Sequence, residues 1–343
     1  MDVVQNRIKW ISNLRIIATI AVITVHVSMD SRYGKDLYAD LIYGSVARFC
    51  VPIFVMITGV LIIPKNIDLY SFTKKWWLKI LVPFIFWNVP YLIYQAWTRL
   101  QAGESLVLKA FLIESFKRLY KGDISFHFWY VYMICGVYFF IPIIGKWARF
   151  ASKQELLYFL IIWFVLLFMQ IPALNKYNPP LELFYFTGYT GYLVLGYYLH
   201  KHQPPLKIWF PVLLIGIGYG LTSALTYHFT KKEAQFVHTY YDYLRPNIVV
   251  LSAGVFLLVK HLSDLEVPIQ FLQALWQQLE KHSYGIYLIH LLVLIFLKNH
   301  GIGYFFIHPL IGIPTCTAIC LLVSCALVWA LNKVPKIGQF ISG

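Results

Sequence analysis

The sequence predicts an all-α, polytopic integral membrane protein with about ten transmembrane helices, and three observations carry that prediction. First, hydrophobic residues make up 59% of the 343 residues and charged residues only 13%, with a mean hydropathy of +0.64. Soluble domains run near about 25% charged, so the chain cannot cover a water-facing surface, and a soluble enzyme and a disordered chain are both excluded. Second, apolar runs recur at roughly the 17–25 residues that a helix needs to cross the hydrocarbon. Third, period-two alternation is absent, which excludes a β-barrel. The backbone of each span must therefore be satisfied within a helix.

In chain order the runs are about 10–29, 42–63, 78–98, 126–145, 155–172, 185–200, 207–227, 246–262, 283–298 and 308–331. The first has no small-residue cleavage pattern after it, so Ile11 onward is expected to be retained as a span. Prolines within or beside the second, third, fourth, fifth and tenth (Pro52, Pro83, Pro90, Pro142, Pro172, Pro309 and Pro314) predict local kinks. Aromatic residues at 18% of the chain suit a protein with two membrane interfaces to anchor. Ten spans put both termini on one side. The slight excess of Lys and Arg in the N-terminal segment and the even connections, led by Lys65, Lys74, Lys75 and Lys79, places both in the cytoplasm. No linker, repeat or low-complexity tract interrupts the pattern, so one membrane domain, 1–343, is expected.

The formal net charge is +14, from 29 Lys and Arg against 15 Asp and Glu. The basic residues lie in short connections between apolar runs. This points to lipid headgroups and an anionic co-substrate rather than to nucleic acid. The five cysteines (Cys50, Cys135, Cys316, Cys320 and Cys325) all lie in apolar runs without metal-type spacing and are read as packing residues. His200, Lys201 and His202 are read as a solvated inner loop, without the acidic or thiolate companion a metal would need. No metal is expected.

Ionisable groups inside a membrane are costly and usually functional. No Asp or Glu stands in the middle of a predicted span, which argues against a pump or cation-coupled carrier. Arg15, His26, His127 and His290 remain. Arg15 and His26 are eleven residues apart. At 100° per residue they turn through about 1100°, roughly 20° beyond three full turns, so they share one helix face about 16 Å apart. Ser283, Tyr287 and His290 likewise form one polar face of the ninth span. Asp30, one turn past His26, is read as an interfacial charge.

The Arg-x10-His spacing in NLRIIATIAVITVHVS resembles the signature of the membrane-bound acyltransferase-3 family. Further blocks resemble the family in order: VPIFVMITGVLI (51–62), FTKKWWLKILVPFIFW (72–87), HFWYVYMICGVYFFIPII (127–144), GYLVLGYYL (191–199) and SYGIYLIHLLVL (283–294). The resemblance covers residues 8–300. It comes nearest to the stand-alone O-acetyltransferases of bacterial surface glycans, such as the enterobacterial common antigen type. Two positions depart from the usual pattern. Asn13 stands where relatives often carry Asp, and Trp76, Trp77 and Lys79 stand in a stretch where they often carry arginines.

The resemblance implies transfer of an acyl group, acetyl by expectation, from cytoplasmic acyl-CoA to a hydroxyl of a bacterial glycan or lipid-linked sugar, in the inner membrane. It implies His26 and Arg15 as catalytic residues. The imidazole would act as general base or as brief carrier of the acyl group, and the guanidinium would hold the donor's arm or phosphate. Lys74, Lys75 and Lys79 would meet the phosphates of acetyl-CoA. His127, Trp129, Ser283, Tyr287 and His290 would line the acceptor site. A transporter or exporter of an acylated compound or small acid is the alternative reading of the same architecture.

Overall fold

The computed structural model describes residues 2–33, 36–172, 174, 177, 188–202, 206–262, 270–334 and 338, and all regular structure among them is helical. Thirteen α-helices follow in order: α1 Asp2–Ser28, α2 Leu37–Val46, α3 Cys50–Ile62, α4 Leu69–Trp76, α5 Val82–Gln101, α6 Leu108–Lys121, α7 Trp129–Phe150, α8 Lys153–Met169, α9 Thr190–Lys201, α10 Trp209–Glu233, α11 Pro246–His261, α12 Gln270–Asn299 and α13 Pro309–Asn332. Eight described segments are long and apolar enough to cross a membrane. One joins α2 to α3 through the 3-10 turn Ala47–Phe49, and another joins α4 to α5 through the π-helical turn Trp77–Leu81.

The expected fifth and sixth spans appear as shorter helices. α8 has 17 residues and α9 has 12. Residues 185–187, the start of the sixth expected span, lie outside the described residues. Both helices are short for crossing at about 1.5 Å per residue. The connection at 99–125, read from the sequence as a loop, carries the amphipathic helix α6. Its start follows Val107, and the left-handed Gly122 ends it at φ 79°. Arg99 grips Glu114 with two bonds of 2.8 and 2.7 Å, and Arg118 reaches Gln95 at 2.7 Å, which ties α6 to the end of α5.

α1 occupies the centre. It packs on α3, α11, α12 and α13, and 67% of its apolar window is buried, against 22% for the peripheral α10. That placement follows from sequence: α1 is apolar on nearly every face, the pattern of a helix surrounded by others. α3 and α9 cross at backbone contact because two glycines let them. A Cβ on Gly59 would strike the Leu193 carbonyl, and one on Gly196 would strike that of Met56. Pro90, Pro142 and Pro314 lie inside α5, α7 and α13. The outward residues of α5, among them Ile85, Val89, Ile93 and Trp97, are exposed apolar side chains, as a lipid-facing surface requires. The five cysteines are free thiols and four are buried.

His200 and Lys201 correct the loop reading. They form the last turn of α9. His200 stacks on Trp10 at 5.6 Å, and Lys201 donates to the Tyr197 hydroxyl at 2.9 Å.

Candidate active site

The shared face of α1 organises the site. Near its C-terminal end the His26 ring meets the rings of His290 at 5.1 Å and His127 at 6.3 Å. His127 and His290 are themselves 5.1 Å apart. Three histidines separated by up to 264 positions in sequence thus form one cluster, with Phe126 edge-on to His26 at 5.3 Å. His127 and His290 are buried, while His26 keeps part of its surface open.

Hydrogen bonds give the three rings different capacities. His290 Nδ1 lies 2.6 Å from the Tyr287 carbonyl. A carbonyl only accepts, so Nδ1 carries the proton and Nε2 bears the lone pair of the neutral ring. That Nε2 is buried without a hydrogen-bond partner. His127 is engaged at both nitrogens, by Ser125 Oγ at 2.9 Å and Tyr91 Oη at 3.5 Å. Tyr91 in turn donates to the Leu288 carbonyl at 3.0 Å, and the Tyr287 hydroxyl donates to the His127 carbonyl. His127 is therefore a clamped ring, whereas His290 retains an open Nε2 and His26 keeps part of its ring surface exposed, as a proton acceptor needs.

Ser283 is buried on α12 one turn before Tyr287. Trp129, at the start of α7, stacks on Tyr243 at 5.6 Å and keeps 37% of its surface exposed. Asp30 does not orient His26: it accepts from Lys298 Nζ at 3.0 Å at the surface.

Arg15 marks the other end of the α1 face. Its Nη1 lies 3.9 Å from Glu280 Oε1 on α12, and the Ser12 hydroxyl donates to the same carboxylate. Asn13, one of the departures from the usual pattern, accepts from Trp276 Nε1 at 2.7 Å. Three side-chain contacts thus fasten this end of α1 to α12.

A cavity of about 410 Å³ has a lining that includes Lys65, Lys75, Lys79, Ser71, Ile80 and Tyr138. Lys74 is exposed and is not part of that wall. Asp68 caps α4, the helix that carries Lys75. The Ser71 N–H donates to it at 2.9 Å and holds its carboxyl below the usual carboxylate range. Aromatic rings connect the two ends. Tyr138 stacks on Phe72 and Trp76 beside the cavity. Tyr284 donates to the Ile80 carbonyl at 2.9 Å and lies parallel to Tyr287. Tyr287 then reaches His127 at 5.6 Å and His290 at 5.9 Å.

Sequence reasoning missed three residues here. Glu280 lies before the apolar window at 283–298 but within the same helix. Tyr91 sits on α5 as one more aromatic among many. Arg48 stands inside the second predicted span, where a permanent charge is itself a signal. Asp40 and Glu280 both fall within crossing segments, each toward one end.

These features define a class: a polytopic, all-α membrane protein with a histidine cluster at one end of its central helix and a basic cavity linked to that cluster by tyrosine contacts. A family model described as an acyltransferase domain matches residues 8–329. The chain belongs to this family, acyltransferase-3, and is a membrane acyltransferase. No curated protein and no solved structure matches it.

Proposed function

We propose that the protein is an O-acyltransferase of the bacterial inner membrane, with cytoplasmic termini, that moves an acetyl group from acetyl-CoA to a hydroxyl of a glycan or lipid-linked sugar. One membrane domain, 1–343, carries the activity, and the nearest type is the stand-alone surface-glycan O-acetyltransferase. The observation behind this reading is the run of contacts from the lysine-lined cavity, through Ile80, Tyr284 and Tyr287, to the histidine cluster that holds His26. Lysine ammonium groups suit a polyphosphate as point charges, so Lys65, Lys75 and Lys79 are the residues that would hold the donor's phosphates. Arg15, fixed by Glu280, would orient the donor's arm along the path.

At the histidine end the acceptor hydroxyl gives its proton to His26. Its oxygen forms a bond to the thioester carbonyl, the carbon–sulfur bond breaks, and the thiolate leaves to be reprotonated. His26 is the best-placed proton acceptor because its ring is partly exposed while His127 is buried and clamped. His290 stands behind it with an open Nε2. Trp129, with part of its surface exposed, offers a flat face of the kind that packs on a sugar ring.

The test is mass spectrometry of surface glycans from cells with and without the gene, together with acetyl-CoA consumption by purified protein. A one-acetyl mass difference and acceptor-dependent release of coenzyme A support the reading. Substrate movement without acetyl-CoA consumption would favour an exporter instead.

A further inference from the structure

Arg48 lies in the turn Ala47–Phe49, in the middle of the crossing segment Leu37–Ile62, and is 7% exposed. A guanidinium cannot shed its charge by losing a proton, so at this depth it has to be matched. The protein covers its faces: the Tyr241 ring lies 4.4 Å from its central carbon and the Tyr243 ring 5.7 Å. Its edge is not matched. Nε and Nη2 are buried without a hydrogen-bond partner. These two atoms donate side by side, in the arrangement that grips a carboxylate or phosphate with two parallel bonds. Asp242, between the two tyrosines in sequence, is committed to Arg245 at 3.5 Å. The Tyr243 ring beneath Arg48 is the one stacked on Trp129, two residues along the chain from His127.

We propose that Arg48 binds an oxyanion on the acceptor, so that the sugar substrate carries a carboxylate or phosphate near the hydroxyl that is acylated. This rests on the acyl-transfer reading and narrows its substrate class. A neutral sugar would leave the open edge unmatched. An anionic one satisfies two buried donors at once, which gives a large difference between otherwise similar acceptors.

The experiment uses the full chain in lipid nanodiscs and three matched hexoses: methyl glucoside, glucuronic acid and glucose 1-phosphate. Thermal stabilisation is recorded for the parent, Arg48→Lys and Arg48→Gln. At least one anionic sugar is expected to stabilise the parent at concentrations where methyl glucoside does nothing, and which one it is separates carboxylate from phosphate. Arg48→Gln should raise the half-maximal concentration at least tenfold. Arg48→Lys, which keeps the charge but loses the fork, should raise it at least threefold, and it decides the matter if Arg48→Gln does not fold. Equal stabilisation of the parent and Arg48→Lys, or no preference for an anionic sugar, would overturn the proposal. Arg48-dependent anion binding without acetyl-CoA consumption by the parent would instead leave the anion site standing and defeat the acyl-transfer reading.

Discussion

Replacing Glu280 by Gln removes the charge opposite Arg15 while keeping shape and an acceptor for Ser12. Two unit charges 3.9 Å apart attract by about 1 kcal/mol in water-like surroundings and about 4 kcal/mol at an effective dielectric near 20. The two side chains keep 32% and 33% of their surface exposed, which draws the value toward the lower figure. A loss of about 1 kcal/mol is roughly fivefold in rate. If Glu280 acts by holding Arg15 in place, Glu280→Gln should lower kcat/KM for acetyl-CoA roughly fivefold. It should have no further effect in an Arg15→Gln background, because the interaction is already gone. The assay is coenzyme A release by the four proteins of the cycle in nanodiscs. Equal losses in both backgrounds, or a gain in rate on freeing Arg15, would refute the reasoning.

Three further outcomes follow from the same geometry. Lys75→Ala/Lys79→Ala should weaken thermal protection by acetyl-CoA, whereas Lys74→Ala, off the cavity wall, should leave it unchanged. Gly196→Ala drives a methyl group into the Met56 backbone and should cost about 1–3 kcal/mol of stability, seen as a lower melting temperature. Gly136→Ala, with open space around it, is the silent control. Asp68→Ala removes the cap of α4 and should speed amide hydrogen exchange in its first turn, with the rest of the protein unchanged.

The long apolar helices were legible because the bilayer imposes their length, and the α1 face was legible because helical periodicity brings Arg15 and His26 into line. α6 escaped because a helix with many charges does not register in a search for apolar runs. α8 and α9 were legible as apolar, yet their lengths depend on where neighbouring turns end. The polar face of α12 showed in the spacing of Ser283, Tyr287 and His290. The contact between His290 and His26 did not, because packing of distant helices creates it. Glu280 was lost at the edge of a window, although α12 runs continuously through it. Arg48 was hidden by the apolar run around it, although burial of a permanent charge is the feature that gives it meaning.

In the proposed reaction His26 takes the acceptor's proton. The most direct test of this step is single-turnover acetyl transfer by His26→Ala in nanodiscs, with acetyl-CoA binding measured on the same preparation. Loss of a general base costs about 10²–10⁴ in rate. Transfer should fall at least a hundredfold with donor binding retained, since the lysine cavity lies at the far end of the path. Transfer at the parent rate by His26→Ala would contradict that role for His26.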